Sequence, residues 1–175
     1  MDKYPLVKFF DIAAALQDDK INFQGAELND VDALPFVSRT ARNNGVTGYC
    51  EPRDGKVNDG GVITLALDGS TGSTFYQHHR FLSGQNIWLL KPKPEMVGVM
   101  TPTIALYLVA TIRKAVVAYT YNLSLTKTRL QKVQIALPVT EEGVLDHAFI
   151  KDAMSRVRHL DLLDGLPDER YQILT

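Results

Sequence analysis

The chain is poor in cysteine, in long apolar runs and in catalytic signatures. It has one cysteine, Cys50, in 175 residues. One thiol excludes an internal disulfide and a multi-cysteine zinc set, and it suits a reducing compartment. Beside Tyr49 at a strand end it reads as a half-buried filler rather than a nucleophile. The longest apolar stretch, residues 97–112, is interrupted by Thr101, Pro102, Thr103 and Thr111. It falls short of the roughly 20 residues that span a bilayer, so it reads as a buried helix. The run FFDIAAAL is broken by Asp11 and carries no cleavage pattern, so no export signal is expected. The chain reads as cytoplasmic, with no membrane partner.

Catalytic and cofactor signatures are missing too. There is no Gly-rich loop between a strand and a helix to cradle a nucleotide, and no nucleophile elbow. The Asn/Asp-Pro-Pro-Tyr/Phe segment of amino-methyltransferases is absent. Pro167, Asp168, Glu169 and Arg170 form a nuclease-like string without its lysine, in a polar tail. His78 and His79 are adjacent; on a strand, neighbours point to opposite faces, so the rings should diverge. His147 and His159 lie elsewhere, among acidic residues. We therefore expect no enzyme, no cofactor and no metal.

What is present fits one globular unit, with 45% hydrophobic residues and a length typical of a single domain. Residues 4–10 read as a strand and 12–16 as a short helical turn. An acidic loop follows over 18–32, then strands over 34–38 and 46–49. Asn44-Gly45 is a tight-turn signal, because both residues tolerate positive φ. Further strands are expected over 61–67, 73–77 and 86–90. Pro102, with Thr101 as N-cap, should open a helix running to about Tyr119. A short helix starts at Ser124 or Thr126, with Lys127, Arg129 and Lys132 outward. Residues 133–137 close as a strand, and Asp146 caps a last helix to about Arg158 with Phe149, Ile150, Met154 and Val157 on one stripe. Strands precede helices without βαβ alternation. That pattern reads as α+β, with a twisted, largely antiparallel sheet, packed helices and a C-terminal helix.

The net charge of −1 hides an uneven distribution. Residues 1–77 hold seven Lys/Arg against eleven Asp/Glu, 78–132 hold eight against one, and 133–175 hold four against eight. A basic block between acidic flanks is expected of one positive face, or of two solvated helix faces. Phosphate neutralisation needs local charge rather than net charge.

Three segments carry the candidate binding residues. Arg39, Thr40, Arg42, Asn43 and Asn44 lie on the turn between two apolar runs, and Arg and Asn forks match guanine and adenine edges. The same turn also reads as a hairpin whose asparagines serve backbone geometry. Tyr119, Tyr121 and Asn122 precede Thr126, Lys127, Arg129 and Lys132, where hydroxyls, a helix start and cations suit phosphate. That helix is equally an ordinary capped one with solvated charges. Residues 69–74, Gly-Ser-Thr-Gly-Ser-Thr, leave backbone N–H groups open to an anion or form a flexible turn. His79 and Arg80 would extend the basic face.

In this order, PFVSRT with NNGVTGY, GSTGSTFYQ with Phe81, Gly84 and Ile87, and LSLTKTRLQKVQIALPV resemble the target recognition domain of type I restriction specificity subunits. The likeness extends to S-like domains of fused restriction-modification enzymes. It covers residues 9–158 and includes Glu142-Gly143 ahead of a helical region. It implies an α/β globule over residues 1–140, with 141–175 as the start of that helical region. It further implies sequence-specific double-stranded DNA binding without catalysis, alongside DNA methyltransferase and nuclease subunits. An interaction module or decoy that kept the fold without DNA readout is the alternative. Complete specificity subunits carry two such domains separated by long helices. The single copy here is expected to be a half-subunit or an isolated domain, or to belong to a system with a different assembly. The apolar stripe of the last helix either folds back on the domain's own sheet or lets the chain pair weakly with itself.

Overall fold

The computed structural model describes residues 1–18, 32–97, 100–119 and 124–158. Most of the acidic loop, Tyr121, Asn122, His159 and the 167–170 string lie outside the described residues. The order is β1 (Asp2–Pro5), β2 (Phe10–Ala14), β3 (Leu34–Val37), β4 (Val46–Cys50), β5 (Val62–Ala66), β6 (Thr74–Gln77), β7 (Leu82–Ser83), β8 (Ile87–Pro92), α1 (Pro94–Val97), α2 (Pro102–Val116), α3 (Lys127–Leu130), β9 (Gln134–Leu137) and α4 (His147–Ser155). The fold is α+β. Strand pairs are antiparallel except β3 with β7, and they fall into sheets ordered β1-β9, β2-β8-β5-β6 and β4-β3-β7.

The sequence of β5, VITLA, is apolar at nearly every position because both faces of the strand are covered and it is buried throughout. Ile63 and Leu65 join Tyr76, Leu90 and the α2 residues Ile104, Leu108 and Ile112 in the larger core. Val62 and Ala66 face a second core with Val37, Phe81, Ile87 and Leu89. The four-stranded sheet is therefore the middle layer, with helices on one side and the β4-β3-β7 sheet on the other. Helix α2 begins where its chemistry predicts: Thr101 Oγ1 accepts from Ile104 N at 3.3 Å and Pro102 stands in the first turn.

Two expectations for the N-terminal segment change. Residues 12–16 are not helical; Phe10–Ala14 forms β2 and pairs with β8, Ile12 opposite Leu90 and Ala14 opposite Trp88. The alanines favour a helix locally, but pairing against a buried strand outweighs that small preference. The strand expected over 4–10 is split by a 3-10 turn at Leu6–Lys8, and its first half pairs with β9. The apolar stripe of α4 also divides. Ile150 is buried and Met154 packs against the larger core, whereas Phe149 and Val157 are 44% and 48% exposed. Leu145 lies in the same core, so the chain just before α4 folds with the strands. No helix among the described residues is long and apolar enough to cross a membrane.

Candidate nucleic-acid interface

Strand β6 ends the four-stranded sheet, and an uncovered edge offers unpaired carbonyls. Here two of them are taken by side chains. Asn44 Nδ2 donates to Tyr76 O at 3.0 Å and Arg113 Nε donates to Thr74 O at 2.9 Å. The covering turn is unusual, because Asn43, Asn44 and Gly45 all have positive φ, at 49°, 54° and 81°. Left-handed backbone costs most side chains about 1–2 kcal/mol per residue but suits Asn and Gly. A Cβ on Gly45 would also meet the Phe75 ring at 3.2 Å.

Buried Gln77 fixes this turn from beneath. Its Nε2 donates to Asn44 O at 3.0 Å and to Thr64 Oγ1 at 3.1 Å. Asn44, although exposed, therefore has its amide spent on β6. Arg42 and Asn43 are exposed, and among the described residues neither side chain has a hydrogen-bond or ion-pair partner. Thr40 Oγ1 accepts from Arg42 N at 3.3 Å, bracing the loop locally.

Arg39 anchors the other end of the loop. Its Nη1 lies 2.8 Å from Asp68 Oδ1, and Asp68 Oδ2 accepts from Asn86 Nδ2 at 2.7 Å. The two charged side chains are 40% and 46% exposed, so the pair stabilises by about 0.2–1 kcal/mol at most. Its effect is positional: it ties the loop to the tip of the β5–β6 hairpin. That tip is not an open anion cradle. Ser70 N donates to Arg39 O, Gly72 N to Ala66 O and Ser73 N to Ser70 O, leaving fewer free N–H groups than expected.

His78 and His79 behave differently from the expectation of divergent rings. Strand β6 ends at Gln77, and the two rings meet edge-on with centroids 4.6 Å apart. Once out of the strand, alternation no longer separates neighbours. Among the described residues no group of three or more His, Cys, Asp or Glu is placed to hold a metal ion. His79 and Arg80 are exposed at the end of β6 remote from the hairpin tip. Buried Asn58 holds their turn in place, exchanging backbone hydrogen bonds with Phe81 while its side chain bonds Leu16 and Ser83.

Helix α3 is capped by Thr126, whose Oγ1 accepts from Arg129 N at 3.3 Å. Arg129 turns back to donate to Ser124 O, whereas Lys127 and Lys132 are exposed. Lys127 Nζ stands 5.5 Å from the centre of the Trp88 ring. Trp88 lies opposite Leu65 and Ala14, at the hairpin-tip end of the sheet. The candidate residues thus group as the 39–44 loop along β6, α3 at the tip end and His79–Arg80 at the opposite end. Gln77, Asp68, Asn86 and Arg113 were missed by sequence reading, because only the fold brings their partners within reach. Cys50 is half-buried; burial pushes its thiol pKa up, partly offset by nearby Arg53, with Asp18 adding to the rise.

Solved structures share this fold. The HsdS subunit from Thermoanaerobacter tengcongensis superposes with a TM-score of 0.55 at 23% identity, over 98% of this chain and 39% of that one. The type I restriction-modification S subunit from M. genitalium gives 0.52 at 17% identity, over 93% of this chain and 38% of that one. The architecture is that of a specificity-subunit domain. In sequence, residues 1–160 match the type I restriction modification DNA specificity domain family, and the chain belongs to it. It is 27% identical over 128 residues to the specificity subunit S.BcgI of the type II restriction enzyme BgcI from Heyndrickxia coagulans. That alignment takes in 72% of this chain and 36% of the subunit. The chain thus spans well under half the length of each of these relatives.

Proposed function

We propose that this chain is a DNA target recognition domain of a restriction-modification system. In this reading it binds one short half-site in double-stranded DNA and positions a separate methyltransferase, with or without a nuclease, in the cytoplasm. It performs no chemistry itself. The observation that carries the reading is the 39–45 loop. Arg42 and Asn43, whose forks suit guanine and adenine edges, stand without a side-chain partner among the described residues, on a turn held by Arg39–Asp68 at one end and Asn44–Gln77 at the other. A reading loop fixed before binding loses little entropy on contact.

Lys127, Arg129 and Lys132, with Tyr121 and Asn122 shortly before them in the sequence, then serve the phosphate backbone; His79 and Arg80 do so beyond the end of β6. Residues 1–140 form the recognition unit and 141–175 begin the coupling to a second half. The exposed Phe149 and Val157 of α4 supply a face for weak self-association, giving a two-fold dimer that reads a split palindrome.

Filter binding to randomised duplex DNA at low and moderate salt tests the proposal, with the chain alone and with a modification partner. Salt-sensitive duplex binding with site preference is expected. Its absence under both conditions refutes DNA readout. Capture of a methyltransferase subunit in that same case establishes the interaction module instead.

A further inference from the structure

We propose that Arg113 of α2 is a DNA-phosphate anchor beside the base-reading loop, an inference that rests on the DNA-binding reading above. Arg113 is exposed, yet its guanidinium is held in place. Nε donates to Thr74 O at 2.9 Å, and the guanidinium carbon lies 4.6 Å from the centre of the Phe75 ring. The same ring packs on the other motif: the Cβ position of Gly45 is 3.2 Å from Phe75 Cδ2 and 3.6 Å from Cε2. One aromatic ring therefore separates the Arg113 guanidinium from the left-handed turn that carries Asn43.

The donor inventory points to a ligand. A guanidinium has five N–H donors, and the bond to Thr74 O uses one, while stacking on Phe75 uses none. Three other arginines meet carboxylates, Arg39 with Asp68, Arg53 with Asp18 and Arg156 with Asp152, whereas Arg42 and Arg129 meet none among the described residues. Among the described residues Arg113 pairs with no carboxylate, so the rest of its fork is open to an anionic ligand. Capping one strand-edge carbonyl needs a single donor, not a cation. A planar fork already fixed at its Nε end suits two-pronged recognition of a phosphodiester, which a lysine point charge does not reproduce. Base-reading side chains need such a contact, because phosphate bonds fix register while base edges supply specificity.

The test compares wild type with Arg113→Gln and Arg113→Lys. Each protein is titrated with duplex DNA across a salt series, and its thermal unfolding is recorded. Arg113→Gln should weaken preferred and random duplexes alike and lower the slope of log affinity against log salt by about one. Arg113→Lys should keep the slope, because it keeps the charge, and bind several-fold more weakly because the fork is lost. A role confined to the strand edge predicts lower unfolding temperatures with unchanged slope and affinity for the folded variants. That result overturns the proposal. Should the Gln variant not fold, unchanged affinity in Arg113→Lys overturns it equally. Wild-type binding that persists with an unaltered slope in Arg113→Gln removes only this inference, whereas a wild type without salt-sensitive binding removes the DNA-binding reading as well.

Discussion

At the scale of single residues, two neighbouring exposed asparagines differ in their partners. Asn43 faces solvent, while Asn44 is locked to Tyr76 and Gln77 by three hydrogen bonds of 3.0 to 3.5 Å. Replacing Gln77 with Leu removes its bonds to Asn44 O and to the Thr64 hydroxyl, which keeps its bond to Phe75 O, and each lost hydrogen bond costs about 0.5–1.5 kcal/mol net. We expect a lower unfolding temperature for Gln77→Leu and, in the protein that remains folded, blurred site preference; unchanged preference would deny the pair a role in aiming the loop. Arg42→Ala should relax preference at one or two base pairs, by about 1–3 kcal/mol for each lost base-specific contact. An equal loss on every sequence would make Arg42 a phosphate contact instead. Cys50 offers a pH test. Its raised thiol pKa leaves less thiolate near pH 8 than an ordinary cysteine has, so alkylation should be slow in the folded chain and quicken in denaturant. The sign for stability follows: the neutral thiol's contribution is complete below the ordinary value of 9.0 and is lost as pH rises through the raised one. The turn at Asn44-Gly45 was legible in the sequence because its signal is local. Its partner Gln77 was not, being 33 residues away.

Elements were legible in proportion to how local their determinants are. Helix α2 was readable from Thr101, Pro102 and a periodic apolar face, all within one segment. Strand β2 was misread because FDIAA has helix-friendly alanines and its reason for extending is β8, far along the chain. Strand β7, two residues paired in parallel with β3, has no local pattern long enough to detect. Helix α3 presents Lys127 on its first turn, with Lys132 just beyond its end. Neither meets a carboxylate among the described residues. Alanine at both positions should weaken all duplexes together and flatten the salt dependence. A loss confined to one sequence would instead assign base contact to α3.

At the scale of the molecule, the basic block of residues 78–132 does not collapse into a single spot. Arg80 follows one end of β6, Arg113 lies along its edge, and Lys127 stands at the hairpin-tip end beside Trp88. A charge track of that kind suits a long polyanion better than a small one. The two-fold assembly proposed above depends on the outer side of α4. Met154 packs inward, so Phe149→Glu is the informative substitution. Sedimentation at tens of micromolar should show weak self-association in wild type and a monomer in Phe149→Glu. A wild type that stays monomeric removes the dimer and leaves DNA binding untouched.

The sequence by itself determined the α+β class, most element positions and the turn that carries Arg42 and Asn43. These rest on caps, turns and short-range periodicity, which act over a few residues. Only the tertiary structure decided which side chains aim the loop. The pairings of Asn44 with Gln77 and of Arg39 with Asp68, and the stacking of Arg113 on Phe75, join residues 29 to 38 positions apart. Hydrogen bonds and ring contacts act over a few ångströms in space whatever the separation along the chain, so the sequence supplied the groups and the packing of sheets and helices chose their partners.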